Sequence, residues 1–218
     1  MFDLQPQQGS QQWLQDRLGN CTASRFDDVK TEPRSKADRD AGKMSATAES
    51  YLFELLGEYL TGQPASDFES VAMRWGTEHE AEARLAYTEA TGNPVQLASF
   101  VRHPTLPRVG CSPDGLVGDD GLIEIKCPFT TREHVRTAMR QEVPDQYYAQ
   151  VQGQLWVTGR RWSHFVSYDP RVQDEKLRLV VVPVSRDKEF IAELDAAVTR
   201  FVRVLLQSIE TLNERSIS

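Results

Sequence analysis

Residues 110–128 read GCSPDGLVGDDGLIEIKCP, and the interpretation of the whole chain starts from them. The run GLIEIKCP is typical of a β-strand, in which alternate side chains share a face. Glu124 and Lys126 therefore project together, while Ile125 points to the other face. The turn GDDG lets the chain reverse and return this strand beside Asp114. The stretch thus predicts that two carboxylates and one ammonium group converge.

This convergent set suits a hard divalent cation, because Mg²⁺ prefers oxygen ligands and takes one or two carboxylates. Asp114 and Glu124 supply that number, and the backbone carbonyl of Ile125 is a further oxygen donor. A bound metal lowers the pKa of its water and neutralises a scissile phosphate, while Lys126 can orient or help deprotonate the water. Hydrolysis of a phosphodiester is the matching reaction. A solvated turn with two neighbouring charges on one strand is the alternative.

Length and composition limit the other possibilities. The chain has 218 residues, 39% of them hydrophobic, and a formal charge of −7, which favours a single soluble domain over residues 1–218. No apolar run approaches the roughly 18 residues of a membrane helix, and the N-terminus does not resemble a secretory signal, so we expect a cytoplasmic protein. The three cysteines are far apart in the sequence and predict reduced thiols rather than a zinc or iron–sulfur site.

Hydrophobic periodicity and turn residues predict alternating helices and strands. The predicted helices cover 44–60, 67–91, 131–141, 145–159 and 187–212. The predicted strands cover 94–103, 108–117, 121–128, 161–169 and 176–184, the first three of them forming a meander. Gly76, inside the second helix, predicts a weak point or a close approach of another group. The order of elements favours an α/β fold with a central mixed sheet flanked by helices.

Two polar segments have more than one interpretation. The segment 30–43, KTEPRSKADRDAGK, holds five basic and three acidic residues with a Pro and a Gly, and it predicts a mobile basic loop or a solvated linker. Gln146, Gln150 and Gln154 recur every four residues and share one helix face. A row of amides can bind DNA or satisfy buried neighbours, and the periodicity does not choose between these roles.

Further motifs occur in a fixed order along the chain: RLGNCTASRF, PRS, RWGTEHEAEAR, CSPDGL, EIKCPFT, YYAQVQGQLWVT and YDPR. Together with P-D and E-x-K at 113–126, they resemble the phage lambda exonuclease family, the YqaJ-like viral recombinase nucleases of the PD-(D/E)XK superfamily. The likeness runs from about Trp13 to Arg171. It implies a restriction-endonuclease-like PD-(D/E)XK fold, which has a central mixed sheet flanked by helices.

The resemblance implies a two-metal nuclease that uses Mg²⁺, with Mn²⁺ as a substitute. Asp114 and Glu124 then bind the metals with help from the Ile125 carbonyl. Lys126 assists the attacking water, as general base or as electrostatic support. Glu80 matches an additional acidic ligand that reaches the site from a helix. Without the resemblance, Glu80 would be interpreted as an exposed helical carboxylate.

His79, next to Glu80, is expected to be structural. Oxygen ligands of the kind that Mg²⁺ prefers make a helical imidazole an unsuitable member of the set.

The resemblance also implies degradation of linear double-stranded DNA from a 5′-phosphorylated end. Four residues match the family's phosphate pocket: Arg17, Ser24, Ser112 and Gln150. Arginine suits bidentate phosphate binding, and TASRF around Ser24 is typical of a helix start, where free N–H groups favour anions. A simple helix cap at Ser24 and an exposed surface position for Arg17 are the alternatives.

Two further residues match DNA contacts in the family. Arg34, in PRS, follows the duplex groove, and Met73 is an apolar wedge that separates the terminal base pairs, although a methionine on an amphipathic helix is more often part of a core. The resemblance implies a homotrimeric ring around DNA, a single-strand annealing protein as partner, and a phage or prophage gene expressed in a bacterial host. A structure-specific or restriction-type endonuclease of the same fold and a non-catalytic DNA-end-binding module are the alternatives.

Overall fold

The helices and strands alternate along the chain, which the computed structural model describes over residues 8–65 and 70–215. The helices are α1 (Gln11–Arg17), α2 (Phe26–Lys30), α3 (Lys36–Asp40), α4 (Ala46–Thr61), α5 (Val71–Thr91), α6 (Thr131–Arg140), α7 (Asp145–Thr158) and α8 (Lys188–Arg215). The strands are β1 (Cys21–Thr22), β2 (Val95–Gln96), β3 (Val101–Arg102), β4 (Val109–Cys111), β5 (Gly115–Val117), β6 (Gly121–Lys126), β7 (Trp162–Tyr168) and β8 (Leu179–Ser185). None of the helices in these ranges has the length and apolar character needed to cross a membrane.

The five predicted helices are confirmed as α4 to α8, and their ends follow the capping rules. Ser45 and Ser70 each accept a backbone N–H from the first turn of α4 and α5. Gly62 and Gly92 end the same helices with φ angles of 63° and 71°, in the left-handed region that glycine adopts without strain. The predicted start of the second helix at Asp67 lies outside the described residues.

The strands form two mixed sheets. The larger sheet has the order β2-β5-β6-β7-β8, in which β6 and β7 are parallel and the other neighbours are antiparallel. The smaller sheet has the order β1-β4-β3, in which β1 is parallel and β3 antiparallel to β4. The predicted mixed sheet with flanking helices is therefore confirmed.

The predicted three-strand meander before residue 128 is wrong. Five short strands occupy this region, and β3 and β4 belong to the smaller sheet while β2, β5 and β6 belong to the larger. The predicted strand 108–117 is broken at Ser112, Pro113 and Asp114, because a proline has no N–H to donate to a ladder. The Pro113 carbonyl instead accepts a hydrogen bond from the Gln8 side chain at 2.7 Å. These three residues carry the chain from one sheet to the other.

Helices cover both faces of the larger sheet. Ile123, Ile125 and Val166 pack with residues of α5 on one face. Phe165 and Val182 pack on the opposite face, with residues of α6 and α7. The smaller sheet packs in a separate core with α2, α4, α7 and α8. This arrangement buries the face of β6 opposite Ile125 against α7.

The cysteines and the segment 30–43 complete the description. The three cysteines are buried and free, as the sequence predicts. Segment 30–43 contains the short helix α3, which the composition does not predict. Ser35 caps this helix by accepting the Asp38 N–H at 3.0 Å.

Candidate active site

Asp114 lies directly beside β6, as the strand alternation and the turn predict. Its carboxylate accepts a hydrogen bond from the Ile125 N–H at 2.6 Å, and its carbonyl accepts one from Arg84 at 3.1 Å. The residue after it must be glycine, because a Cβ on Gly115 would lie 2.1 Å from the Val95 side chain. The hairpin sequence therefore fixes where the Asp114 carboxylate sits.

Glu124 projects from the opposite face of β6 to Ile125, toward α7, and is 1% exposed. Three donors surround its carboxylate. Gln150 and Gln154 donate to its two oxygens at 2.5 Å each, and the Lys126 ammonium lies 2.7 Å away. A buried carboxylate is stable only when it is paired and hydrogen-bonded, so α7 and Lys126 together keep Glu124 in place.

Lys126 shares the Glu124 face, as predicted, and its ammonium also lies 4.9 Å from the centre of the Tyr147 ring. Burial alone would lower the pKa of Lys126, but the charges of Glu124 and Asp114 outweigh burial and raise it above its ordinary value. The side chain is therefore a fixed positive charge at neutral pH.

Glu80 reaches the same region from α5, and its carboxylate forms an ion pair with Arg84 one turn later on the helix. Burial raises the pKa of Glu80, Arg84 lowers it, and the nearby charge of Glu124 raises it further. Glu80 is thus close enough to sense Glu124 but is directed toward Arg84. Sequence reasoning missed Arg84, although its spacing of four residues from Glu80 is the usual signal of a helical ion pair.

Asp114, Lys126 and Glu80 line an open pocket of about 500 Å³, here named the carboxylate pocket, and the buried Glu124 is paired with Lys126 beside it. Its lining includes Met73, Glu80, Asp114, Lys126 and Phe129. Burial, followed by repulsion from Glu124 and Glu80, raises the pKa of Asp114 well above its ordinary range. Mutual repulsion of this kind is relieved by a bound cation.

The donor set of the carboxylate pocket fits a hard divalent cation in part. Because the N–H and C=O of one strand residue point to the same side, the Ile125 carbonyl faces the edge where Asp114 lies. Asp114, Glu124 and this carbonyl are all oxygen donors, as Mg²⁺ requires. The side chains of residues 8–65 and 70–215 do not bring three His, Cys, Asp or Glu groups together as a ready-made metal cage.

A second pocket of about 410 Å³, here named the arginine pocket, adjoins the first, and Met73 lines both. Arg17 lies 4.4 Å from the centre of the Trp13 ring and donates to the Ser112 hydroxyl at 3.4 Å. The Trp13 indole N–H donates to the same hydroxyl at 3.0 Å. Burial lowers the pKa of Arg17. Trp13, which sequence reasoning missed, thus holds both Arg17 and Ser112.

The other predicted phosphate contacts are placed differently. Ser24 is exposed in the arginine pocket, in a single 3₁₀ turn (Ala23–Arg25) that precedes α2, and its hydroxyl lies 3.2 Å from that of Thr22. Gln150 is directed toward Glu124 rather than toward Arg17. Arg17 and Ser24 therefore line the arginine pocket, Ser112 contacts Arg17 without lining that pocket, and Gln150 contacts Glu124 instead.

The remaining predicted residues fall into two groups. Arg34 is exposed and lines neither pocket, whereas Met73 is 57% exposed and lies on the wall between them, so it is not a core methionine. His79 stacks on Trp75 with ring centres 3.8 Å apart, and its Nδ1 lies 2.9 Å from the Trp75 carbonyl, in a structural contact as expected. Gly76 lines the carboxylate pocket, and no atom approaches it, so the predicted close approach is wrong.

A comparison with protein families places this geometry in a known group. The model of the YqaJ-like viral recombinase domain matches residues 12–161. The chain belongs to the YqaJ-like viral recombinase family. All of the predicted site residues, from Arg17 to Gln150, lie inside the matched range.

Known proteins similar to this YqaJ-like chain include solved exonuclease structures. The alkaline exonuclease LHK-Exo of Laribacter hongkongensis, alone and in complex with dAMP, is 38% identical, with TM-scores of 0.83 and 0.84 over 95% of this chain and 98% of that one. A phage-related exonuclease from Haemophilus somnus 129PT shares the fold, with 21% identity and a TM-score of 0.68 over 88% and 96% of the chains. The fold is therefore of the PD-(D/E)XK type.

A short curated relative adds a sequence match to the YqaJ-like assignment. The putative uncharacterized protein ExoD of Escherichia coli K12 is 32% identical over 69 residues, which are 32% of this chain and 77% of that protein.

Proposed function

We propose that this protein is an Mg²⁺-dependent exonuclease that degrades one strand of linear double-stranded DNA, 5′ to 3′, from a 5′-phosphorylated end. The product is a duplex with 3′ single-stranded tails, which serve recombination by strand annealing. The observation that carries the proposal is the adjacency of two pockets. One is lined by Asp114 and Lys126, whose ammonium pairs with Glu124, and the other is lined by Arg17, which donates to Ser112.

In the carboxylate pocket, Asp114 and Glu124, with the Ile125 carbonyl, are the proposed metal ligands. Mg²⁺, when bound, lowers the pKa of a coordinated water and neutralises charge on the scissile phosphate. Glu80 is the additional carboxylate of the set. Membership of the family supports two ions per site, with Mn²⁺ as a substitute.

Lys126 is proposed to act by charge rather than as a general base. Its pKa lies above the ordinary value because Glu124 and Asp114 stabilise the ammonium form. A cation of this kind can orient the attacking water and stabilise the developing negative charge of the transition state, but it cannot accept a proton at neutral pH.

The arginine pocket is proposed to hold the 5′ phosphate, with Arg17, Ser24 and Ser112 as donors. An arginine offers several N–H groups in a planar fork that matches phosphate oxygens. Gln150 extends the phosphate contacts from the Glu124 side. Occupation of this pocket by a terminal phosphate would orient the strand so that its 5′ end is cut first.

Two residues outside these sets are proposed to contact the rest of the DNA. Met73 stands on the wall between the pockets with an exposed apolar side chain, as a wedge that parts the terminal base pairs requires. Unstacking costs a few kcal/mol per step, which the apolar contact offsets in part. Arg34 is the proposed contact along the duplex groove.

Membership of the family supports three further proposals. The protein assembles as a homotrimeric ring, acts with a single-strand annealing protein, and is phage- or prophage-encoded and works in the bacterial cytoplasm. A ring has a physical purpose, since nonspecific DNA binding with dissociation constants of about 10⁻⁴ to 10⁻⁶ M releases DNA often. Sedimentation with and without a DNA duplex measures the assembly, and a monomer in both conditions would contradict the ring.

The direct test is digestion of end-labelled linear duplex, with and without a 5′ phosphate, in Mg²⁺ and in chelator. We expect release from the 5′-phosphorylated strand in Mg²⁺ only. Covalently closed circular DNA is the control substrate. Cutting of circles would replace the proposal with an endonuclease, and binding of ends without any hydrolysis would replace it with a DNA-end-binding module.

A further inference from the structure

A cleft of about 540 Å³ lies between the segment that precedes α4 and one face of α8. It shares no lining residue with the carboxylate pocket or the arginine pocket. Its basic lining residues, which define what we name the cationic cleft, are Lys30, Arg39, Lys43, Arg200 and Arg203.

The basic groups of the cationic cleft differ in how far they are neutralised. Lys43 is paired with Asp38 at 2.7 Å, Lys30 with Glu193 at 3.2 Å, and Arg39 at 3.9 Å with Glu32, an acidic residue of the same lining. Arg200 and Arg203 lie one turn apart on α8, and their guanidinium groups form no ion pair or hydrogen bond with residues 8–65 and 70–215. The chain as a whole carries a net charge of −7. Two arginines without an ion pair therefore make this cleft locally positive on an acidic protein.

The floor of the cationic cleft is aliphatic. Met44, Ala197 and Val204 line it and are only partly buried. The aromatic residue of the lining, Phe201, is 3% exposed, so it offers no ring face to a ligand. Bound single strands stack their bases on aromatic rings, and a duplex presents phosphates that make no use of an apolar floor. The lining therefore favours an occupant that carries both carboxylates and an aliphatic or aromatic side chain.

The amino end of α4 strengthens the preference for carboxylates. Ser45, its N-cap, lines the cationic cleft, so the positive end of the helix dipole is directed into it. Carboxylates are stabilised near such an end.

We propose that the cationic cleft binds an acidic and apolar peptide segment of a partner protein, with its carboxylates on Arg200 and Arg203 and an apolar side chain on Met44 and Val204. The site is separate from the proposed cleavage machinery. It would tether the enzyme to a second protein while both pockets stay open to DNA.

The test uses the full chain and a fluorescein-labelled peptide of sequence Gly-Asp-Asp-Leu-Asp-Phe, with binding followed by fluorescence anisotropy. We expect saturable binding that weakens about tenfold in a variant carrying Arg200→Glu and Arg203→Glu, because two ion pairs are reversed. A variant carrying Arg140→Glu and Lys188→Glu, two exposed residues outside the cleft, makes the same change of charge; it is the matched control and should leave the affinity unchanged.

Two altered peptides separate the charge from the apolar contribution. Replacing each Asp by Asn, or replacing Leu and Phe by Gly, should each abolish most of the binding. Equal binding of the Asn peptide would overturn the proposal. A wild-type chain that does not bind the peptide, together with loss of duplex DNA binding in the doubly charge-reversed variant, would also overturn it, since the cleft would then be a nucleic-acid surface. Dissociation of an oligomer in that variant, again with no peptide binding, would make the cleft an interface between copies and would equally overturn it.

A second measurement does not depend on the folding of a variant. A photo-reactive leucine in place of Leu in the peptide should cross-link the wild-type chain at Met44 or on α8 near Val204, as mapped by mass spectrometry. Attachment confined to other surfaces would overturn the assignment.

Discussion

The carboxylate pocket and the arginine pocket share Met73 on their common wall but differ in whether their proposed functional side chains form ion pairs. At the carboxylate pocket, two acidic groups have a partner of opposite sign close by, Glu124 in Lys126 and Glu80 in Arg84, while the Asp114 carboxylate accepts the Ile125 N–H. In the arginine pocket, Arg17 has a hydroxyl and an indole ring but no ion pair with any residue of the described ranges.

The carboxylate pocket is therefore suited to holding its groups in fixed positions, and the arginine pocket is suited to binding an incoming anion. Mutually paired charges hold one another in place, so the groups that flank the reacting bond are positioned before substrate arrives. An arginine that forms no ion pair gains most from an incoming anion, because no salt bridge must be broken for the anion to bind. The comparison therefore predicts that changes in the first pocket affect the rate of hydrolysis and changes in the second affect the choice of DNA end.

Removal of Asp114 should have the largest effect, and it tests the prediction that the carboxylate pocket sets the rate of hydrolysis. Asp114→Ala removes a proposed metal ligand, and loss of about 4 kcal/mol of charge stabilisation would slow hydrolysis about a thousandfold. Single-turnover digestion and a DNA-binding titration measure the two functions separately, and we expect binding to persist. Asp119→Ala, on the exposed turn of the same hairpin, is the control. Undiminished turnover in Asp114→Ala would refute the assigned site.

Removal of Arg17 tests the prediction that the arginine pocket sets the choice of DNA end. Arg17→Ala deletes a charge-assisted hydrogen bond of about 1.5–3 kcal/mol, so the preference for 5′-phosphorylated over unphosphorylated ends should fall roughly tenfold to a hundredfold. The measurement is the ratio of initial rates on the two substrates.

The control for Arg17 lies in the same pocket. Arg25 is paired with Asp28 and Glu54, so Arg25→Ala should lower stability and leave the end preference intact. An equal drop on both substrates in Arg17→Ala would count against a phosphate site.

Gln154 allows a test of how much the hydrogen bonds around the buried Glu124 contribute to the carboxylate pocket. Gln154→Ala removes one donor from a carboxylate that is 1% exposed, and an unsatisfied buried charge costs about 1–3 kcal/mol or more. We expect that loss in the free energy of unfolding by urea, together with weaker Mg²⁺ binding by calorimetry. Gln146→Ala, on the same helix but exposed, should change stability by less than about 0.5 kcal/mol. Equal effects of the two substitutions would contradict the role of Gln154.

The smallest expected effect concerns the pH dependence of stability. Because the pKa of Asp114 is raised in the folded state, the folded protein binds more protons than the unfolded chain between the ordinary pKa of about 3.9 and the raised value. Stability therefore falls as pH rises through that window. In chelator, Asp114→Asn should raise the free energy of unfolding at neutral pH and leave it unchanged below the ordinary pKa. Urea titrations across pH measure this difference in the free energy of unfolding. A difference that does not change with pH would exclude the titration of Asp114 as its cause.

The sequence predicted the chemistry of β6 better than the pairing of its neighbours. Strand alternation requires only local geometry, so the shared face of Glu124 and Lys126 and the opposite direction of Ile125 followed from the residue order. The second sheet did not follow, because β1 has two residues and a strand that short has no periodicity to detect. Which helix covers each face is set by packing between segments far apart in the chain.

The partners of the site were harder to predict than its central residues. The spacing of Gln150 and Gln154 placed both on one face of α7, but only tertiary contacts show that both donate to Glu124. Trp13 was missed because an indole in the short helix α1 gives no local signal that it will meet Ser112, far along the chain. Long-range polar contacts of this kind are invisible to periodicity.

The link between the two sheets limits the distance between Ser112 and Asp114. Ser112 leaves the smaller sheet and Asp114 enters the larger one, with only Pro113 between them. Two residues of fully extended chain span at most about 7 Å, so covalent bonds cap the separation of the two Cα atoms. If a strand end rests against Ser112, the bond presented to Asp114 lies at a fixed offset from that end. Uniform product length would then be a property of the backbone itself rather than of any moving loop.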